Sequence, residues 1–347
     1  MTLFKLPFLA SRTPTESNLV HIINPLVNAS GGSEHRTIEL AKLISKQAEV
    51  RVWSDRKFST ELGKLVKINQ ITPPWNYPKG GNLVFIGAYF RIGKWAKFVN
   101  PRRVTVLYNT PDEADLDRFL REMVAHGLRE QLEFVYAADW MRKRTGIAGP
   151  VHVSPIDLGR FSPRPWKTDG KQFTVGRLSR DVLEKHHPED PKLWIALEKM
   201  GFRVRLMGAT CLTERLPAGH NLEILPTGAE SPEDFLNSLD AFVYRTDADR
   251  FFEPSGRVVS EAMCCGIPVV CGVEGGHVES IQDGHTGFLF DSNDRAISII
   301  SELRGDRVWH SEISRRARES MVSIHSDEAM LNLAKYYLSP TRPAHEL

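Results

Sequence analysis

The stretch SPIDLGRFSPRPWKTDG, residues 154–170, separates two runs of the same kind and so decides the fold. Its Pro, Gly and charge are the composition of a linker. Before it, short β-rich runs alternate with segments of helical spacing: LVHII (19–23), EVRVW (49–53), NLVFI (82–86), RVTVLY (103–108), EFVY (133–136) and VHV (151–153). Between them, Ile38, Ala41 and Ile44 share one helix face and Leu116, Leu120, Met123 and Val124 another. After the linker the alternation restarts with QFTVG (172–176), FRVRLMG (202–208), LEIL (222–225), DAFVY (240–244), IPVVCG (267–272) and GFLF (287–290). Strand and helix in alternation imply a parallel sheet wrapped by helices. The chain therefore reads as α/β with two doubly wound domains, residues 1–156 and 157–325. A closing helix, Asp327 to Leu338 within residues 326–347, is expected to cross back to the first domain.

Length agrees with this division, because 347 residues at roughly 100 to 200 per domain suggest two cores. With 41% apolar and 25% charged residues the chain is neither fibrous nor disordered. Its apolar runs, such as LVFIGAYF (83–90), fall well short of the ~20 residues that cross a bilayer. The N-terminal MTLFKLPFLASRTPTES lacks the build of a secretory signal, which predicts a cytoplasmic protein. Cys211, Cys264, Cys265 and Cys271 have neither zinc-site nor redox spacing and read as packing residues of a reduced compartment. The net charge of +2 hides an asymmetry. Residues 1–156 hold 22 Lys and Arg against 14 Asp and Glu, and the remainder 23 against 29. A basic half suggests an anionic partner.

Three segments carry candidate chemistry. In NASGGSEHRTIELAK (28–42), Gly31 and Gly32 lie between a strand and a helix expected to start near Ser33. Bare backbone N–H groups at such a helix start favour an anion, and a tight turn with Ser33 as helix cap is an equal alternative. In VGRLSRDVLEKHHPEDPKL (175–193), Arg177 directly follows a strand, and with Lys185 or Arg180 it could clamp a diphosphate. His186 and His187 lack companions for a metal site. In FFEPSGRVVSEAMCCGIPVVCG (251–272), Glu253 precedes a Pro-Ser-Gly turn and Glu261 follows on a short helix. Carboxylates placed in this way accept hydrogen bonds from vicinal hydroxyls such as those of ribose or hexose. Glu261, beside Ala262 and Met263, needs a partner if it is buried.

Taken together these motifs resemble the retaining GT-B glycosyltransferases of family four, the glycosyl transferases group 1. The specific part is Glu253-x7-Glu261 followed by AMxxGxPVV and then GVEGGHVESIQDGHTGFLF (272–290). VGRLSRD, the early GGSE and PIDLGRFSPRP agree with it. The resemblance implies GT-B architecture, two facing Rossmann-like doubly wound domains with an interdomain cleft. It also implies sugar transfer from a nucleotide sugar, with retention and without a metal or other cofactor, to a glycan or lipid-linked acceptor in bacterial polysaccharide or glycolipid assembly. Carried over residue by residue, Arg177 and Lys185 hold the diphosphate and Glu253 meets the donor sugar. Glu261 binds the ribose, and backbone amides around Gly256, Arg257 and Val258 add donor contacts.

Two features depart from the pattern. Lys185 stands farther beyond Arg177 than the family often places it, so Arg180 rivals it. Where many relatives carry a His after a central first-domain strand, NLVFIGAYF offers Gly87 and Ala88. The basic segment FRIGKWAKFVNPRR (90–103), with Ile92, Trp95 and Phe98 as an apolar face, would suit peripheral contact with the inner face of the cell membrane, against the alternative of an ordinary core helix. No nucleic-acid module is present. Other readings are a non-catalytic nucleotide-sugar-binding partner subunit and a related sugar-nucleotide epimerase.

Overall fold

The computed structural model describes residues 18–164, 172–216 and 219–340. The N-terminal segment expected to lack a signal, and residues 165–170 of the expected linker, lie outside these. Two six-stranded sheets, parallel throughout, make up the framework. The first contains β1 (Leu19–Ile23), β2 (Glu49–Ser54), β3 (Ile68–Gln70), β4 (Asn82–Ile86), β5 (Arg103–Tyr108) and β6 (Leu132–Tyr136), in the order β3-β2-β1-β4-β5-β6. The second contains β7 (Thr174–Leu178), β8 (Arg203–Met207), β9 (Leu222–Leu225), β10 (Ala241–Tyr244), β11 (Val269–Gly272) and β12 (Phe288–Phe290), in the order β12-β11-β10-β7-β8-β9.

The central strands β1, β4, β5, β7 and β10 are buried along their whole length, which accounts for the largely apolar runs of β1, β4, β5 and β10. In each sheet the first strand pairs with its sequence successor on one side and with a later strand on the other. The strand order thus reverses beside β1 and beside β7. Open α/β sheets bind ligands outside the carboxyl ends of their strands at these reversals.

Beyond small differences at strand ends, the strand pattern in the sequence departs from the structure at three places. Val151 makes only an isolated bridge to Tyr136, so VHV is no strand. The short edge strand β3 was not anticipated. The strand begun at QFTVG runs two residues later, Thr174–Leu178, and this places Arg177 inside the sheet rather than beyond it.

The helix Asp327–Leu338 packs on the first sheet, contributing Leu333, Ala334, Tyr336 and Tyr337 to its apolar cluster. Asn82 donates to the carbonyls of Tyr337 and Ser339 at 2.8 and 3.0 Å, and Arg103 donates to that of Tyr336. Among the described residues no helix is long and apolar enough to cross a membrane. The expected apolar-basic face at residues 90–103 is not presented. Ile92 and Trp95 are buried in the core, Arg103 is buried and paired with Glu133, and Phe98 alone of the three apolar residues is exposed. Arg91, Lys94 and Lys97 of the same segment are exposed beside Phe98.

Candidate active site

At the reversal beside β7, Glu253 is buried and gathers three donors. Lys185 Nζ lies 2.7 Å and the Tyr244 hydroxyl 2.5 Å from Oε2, while the Gly256 N–H donates to Oε1 at 3.1 Å. Burial alone would raise the Glu253 carboxyl, but the Lys185 ammonium and the Tyr244 hydroxyl outweigh it and hold it at about 2. Burial lowers Lys185 from its ordinary value against the opposing pull of Glu253. Burial, followed by the adjacent Glu253 charge, pushes Tyr244 well up, so its proton stays in place to donate.

The extra residues between Arg177 and Lys185 form a single helical turn, Leu183–Lys185, that carries the ammonium back to Glu253. Lys185, rather than Arg180, is therefore the cation joined to the Glu253 carboxylate, and its Nζ lies 3.9 Å from the centre of the Phe251 ring. Arg180 is partly exposed and stands farther off, 6.0 Å from the same ring.

Arg177 is not at the mouth of the domain. It is 1% exposed, donates to the Lys185 carbonyl, and lies over the Tyr244 ring at 4.5 Å, with Asp190 3.8 Å away. Its register opposite Leu206 within β7 holds it beneath the Lys185–Glu253 pair. From there it braces the Lys185 turn and adds positive potential, while its Nε and Nη1 have no hydrogen-bond partner among the described residues.

Glu261 has the partner that its position required: Arg257 Nε lies 2.7 Å away, one helical turn earlier. Arg257 also donates to Ser154 Oγ at 2.5 Å and to the Pro155 carbonyl at 2.9 Å, both in the segment joining the domains. The helix is Arg257–Cys264 with Gly256 as N-cap at φ 62°, a left-handed conformation that favours glycine. The first-turn N–H groups of Arg257 and Val258 have no partner within the helix.

In the first domain Gly31 is the N-cap of the helix Gly32–Ser45. A Cβ on Gly31 would lie 2.0 Å from Glu34 Oε2, whereas one on Gly32 would meet nothing within 4 Å, so open space lies at Gly32. Ser33 does not cap the helix. Its hydroxyl accepts instead from Asn24 at 3.0 Å, Asn109 at 3.1 Å and Tyr89 at 3.3 Å. These side chains follow the carboxyl ends of β1, β4 and β5, where strand polarity alone could have pointed to them. Burial raises Glu34, opposed by backbone N–H groups of Glu34 itself and of Asn28 and, more weakly, by the charge of Arg180 in the second domain. Tyr244, at the end of DAFVY, was detectable on the same grounds, while nothing local marks Asp190. Among the described residues no three His, Cys, Asp or Glu side chains come together to hold a metal ion.

Residues 203–319 match the family model of the glycosyl transferases group 1. The putative colanic acid biosynthesis glycosyltransferase WcaL of Escherichia coli K12 is 27% identical over 184 residues, 48% of this chain and 45% of that protein. The capsular polysaccharide biosynthesis glycosyltransferase CapM of Staphylococcus aureus is 24% identical over 185 residues, 50% of this chain and 47% of that one. The matched segment thus spans about half the length of these curated relatives. Anabaena HepE, solved with UDP and glucose, superposes with a TM-score of 0.73 at 17% identity, covering 92% of this chain and 98% of its own. WaaG, a glycosyltransferase involved in lipopolysaccharide biosynthesis, does so at 0.61 and 12%, covering 92% and 98%. The fold is GT-B, and residues 203–319 of the second domain are similar to the glycosyl transferases group 1.

Proposed function

We propose that the protein transfers a sugar from a nucleotide sugar to a glycan or lipid-linked acceptor in polysaccharide or glycolipid assembly, with retention of anomeric configuration and without a metal ion. The observation that carries this reading is the Lys185–Glu253–Tyr244 cluster at the second-domain reversal, with Arg177 beneath it. A fixed carboxylate suits the hydroxyls of a donor sugar. The adjacent ammonium and the free N–H groups of Arg257 and Val258 suit a diphosphate. Negative charge on the departing diphosphate grows in the transition state, so preorganised positive groups there lower the barrier. These groups do the work that a divalent ion would do elsewhere. Glu261 is assigned to the ribose hydroxyls, with Arg257 fixing its carboxylate. UDP in HepE and the capsular and colanic acid roles of the relatives support the donor class and the pathway type.

The test is a thermal-shift screen of UDP, GDP and ADP and of their sugar conjugates. A true donor at 100 times its Kd raises stability by about 2.7 kcal/mol. Nucleotide release from the stabilising conjugate, lost in Glu253→Ala, supports transfer. Stabilisation without any release would instead define a nucleotide-sugar-binding subunit, and no stabilisation by any conjugate overturns both.

A further inference from the structure

The residues on either side of Glu253 are held by a side chain of the opposite domain. Phe252 packs against the Trp140 ring, with centroids 4.6 Å apart and planes inclined at 63°. The Pro254 carbonyl accepts from Trp140 Nε1 at 2.9 Å. Trp140 lies in the short helix Asp139–Thr145 that follows β6. The second domain grips the start of this helix in turn, because the Glu279 carboxylate accepts from the Asp139 and Trp140 N–H groups at 2.7 and 2.8 Å.

Gly276 makes this approach possible. A Cβ there would lie 1.9 Å from the Pro254 oxygen and 2.6 Å from Trp140 Nε1, so no larger residue fits. Its N–H donates to the Glu253 carbonyl at 2.7 Å. Trp140, Gly276 and Glu279 therefore form one joint around the loop that carries the carboxylate.

We infer that Trp140 is a positioning residue for Glu253, so that the donor-sugar carboxylate reaches its working place only when the first domain is docked. The inference rests on the reading of Glu253 given above and extends it. An indole that both meets the ring of residue 252 edge-on and bonds the carbonyl of residue 254 fixes the backbone on each side of the acid. Phe252 is 36% exposed and makes a poor anchor without that ring. Separation of the domains removes the restraint on residues 252 and 254, leaving Lys185, Tyr244 and the Gly256 N–H on the Glu253 carboxylate and the Gly276 N–H on its carbonyl. Misplacing one reacting group by a fraction of its bond length to substrate is felt mainly in the chemical step.

The test uses the full chain with Trp140→Phe, Trp140→Ala and Glu279→Gln. Hydrogen exchange at the Gly256 and Gly276 amides is compared with that in β8 of the same protein. Trp140→Ala is expected to speed exchange at the two glycines by about tenfold with β8 unchanged, and Trp140→Phe, which keeps the ring but not the N–H, by less. Unchanged exchange at both glycines in Trp140→Ala overturns the inference, as does an equal rise in β8, which would mean general loosening. Should Trp140→Ala fail to fold, Trp140→Phe and Glu279→Gln decide by the same comparison. With a donor in hand, kcat should fall about tenfold in Trp140→Ala while the donor KM stays within about twofold. A parallel change in both opposes positioning. If wild-type protein turns over no nucleotide sugar, the proposed function fails, and the exchange comparison still decides whether Trp140 holds the loop.

Discussion

The carboxyl ends of the two sheets face one another and are furnished in opposite ways. In the first domain Asn24, Ser33, Tyr89 and Asn109 form a neutral cluster of hydroxyls and amides that satisfy one another. In the second, Arg177, Lys185 and Glu253 place three charges in a buried setting around a tyrosine. Whole-domain charge points the other way, since the first 156 residues are the basic ones. Net charge describes a surface, whereas ligand chemistry follows the few groups that the strand ends deliver. The neutral end suits an acceptor rich in hydroxyls and the charged end a donor that leaves as an anion.

The largest expected effect falls on the charged end. Glu253→Ala and Lys185→Ala should each lower transfer on the order of a hundredfold or more, the usual loss for one preorganised group, as measured by nucleotide release. Each also strands a buried partner, so Tm should fall in either single variant and recover in part in the double variant Lys185→Met with Glu253→Gln. Near-normal transfer by Glu253→Ala would break the contrast between the two ends. Arg177→Met should reduce stability by about 3 kcal/mol and unsettle the Lys185 turn, read as a lower urea midpoint together with slower turnover.

Tyr89→Phe in the neutral end should cost about 1 kcal/mol and change acceptor KM more than donor KM, because only hydroxyl partners are lost. A change confined to donor KM would reverse the assignment of the two ends. A separate effect concerns acid. Burial depresses His21 and His186 to about 4 and His152 to about 3, so in the folded chain they stay neutral where unfolded histidine gains a proton. Their contribution is complete above about pH 6.5 and is lost as pH falls toward those values, by up to about 1.4 kcal/mol per pH unit for each group. The slope of the urea midpoint against pH from 6.5 to 4 should flatten in His152→Gln.

Most of the two sheets was legible in the sequence because their inner strands are buried on both faces and read as largely apolar runs. LVHII, NLVFI and RVTVLY coincide with observed inner strands, and LEIL with the half-buried edge strand β9. β3, three half-buried residues at a sheet edge, leaves no such trace. The two-residue difference at β7 was small along the chain and large in consequence, since it turned Arg177 from a group at the mouth into a brace beneath it. Glu253 and Glu261 were visible through their motif. The contacts of Trp140 with Pro254 and of Arg257 with Ser154 join residues more than a hundred positions apart, a separation that periodicity cannot bridge.

The closing helix has a mechanical consequence. Because it returns to the first sheet, the chain passes between the domains twice, once through residues 151–164 and again near His325, and the two passages touch where His325 Nε2 lies 3.2 Å from the Ser154 carbonyl. One tether would leave the domains free to swivel. Two tethers side by side would wind around each other under such a twist, so they permit a hinge and resist a swivel. Each closure then brings the same two faces into register, and Trp140 meets the same loop every time.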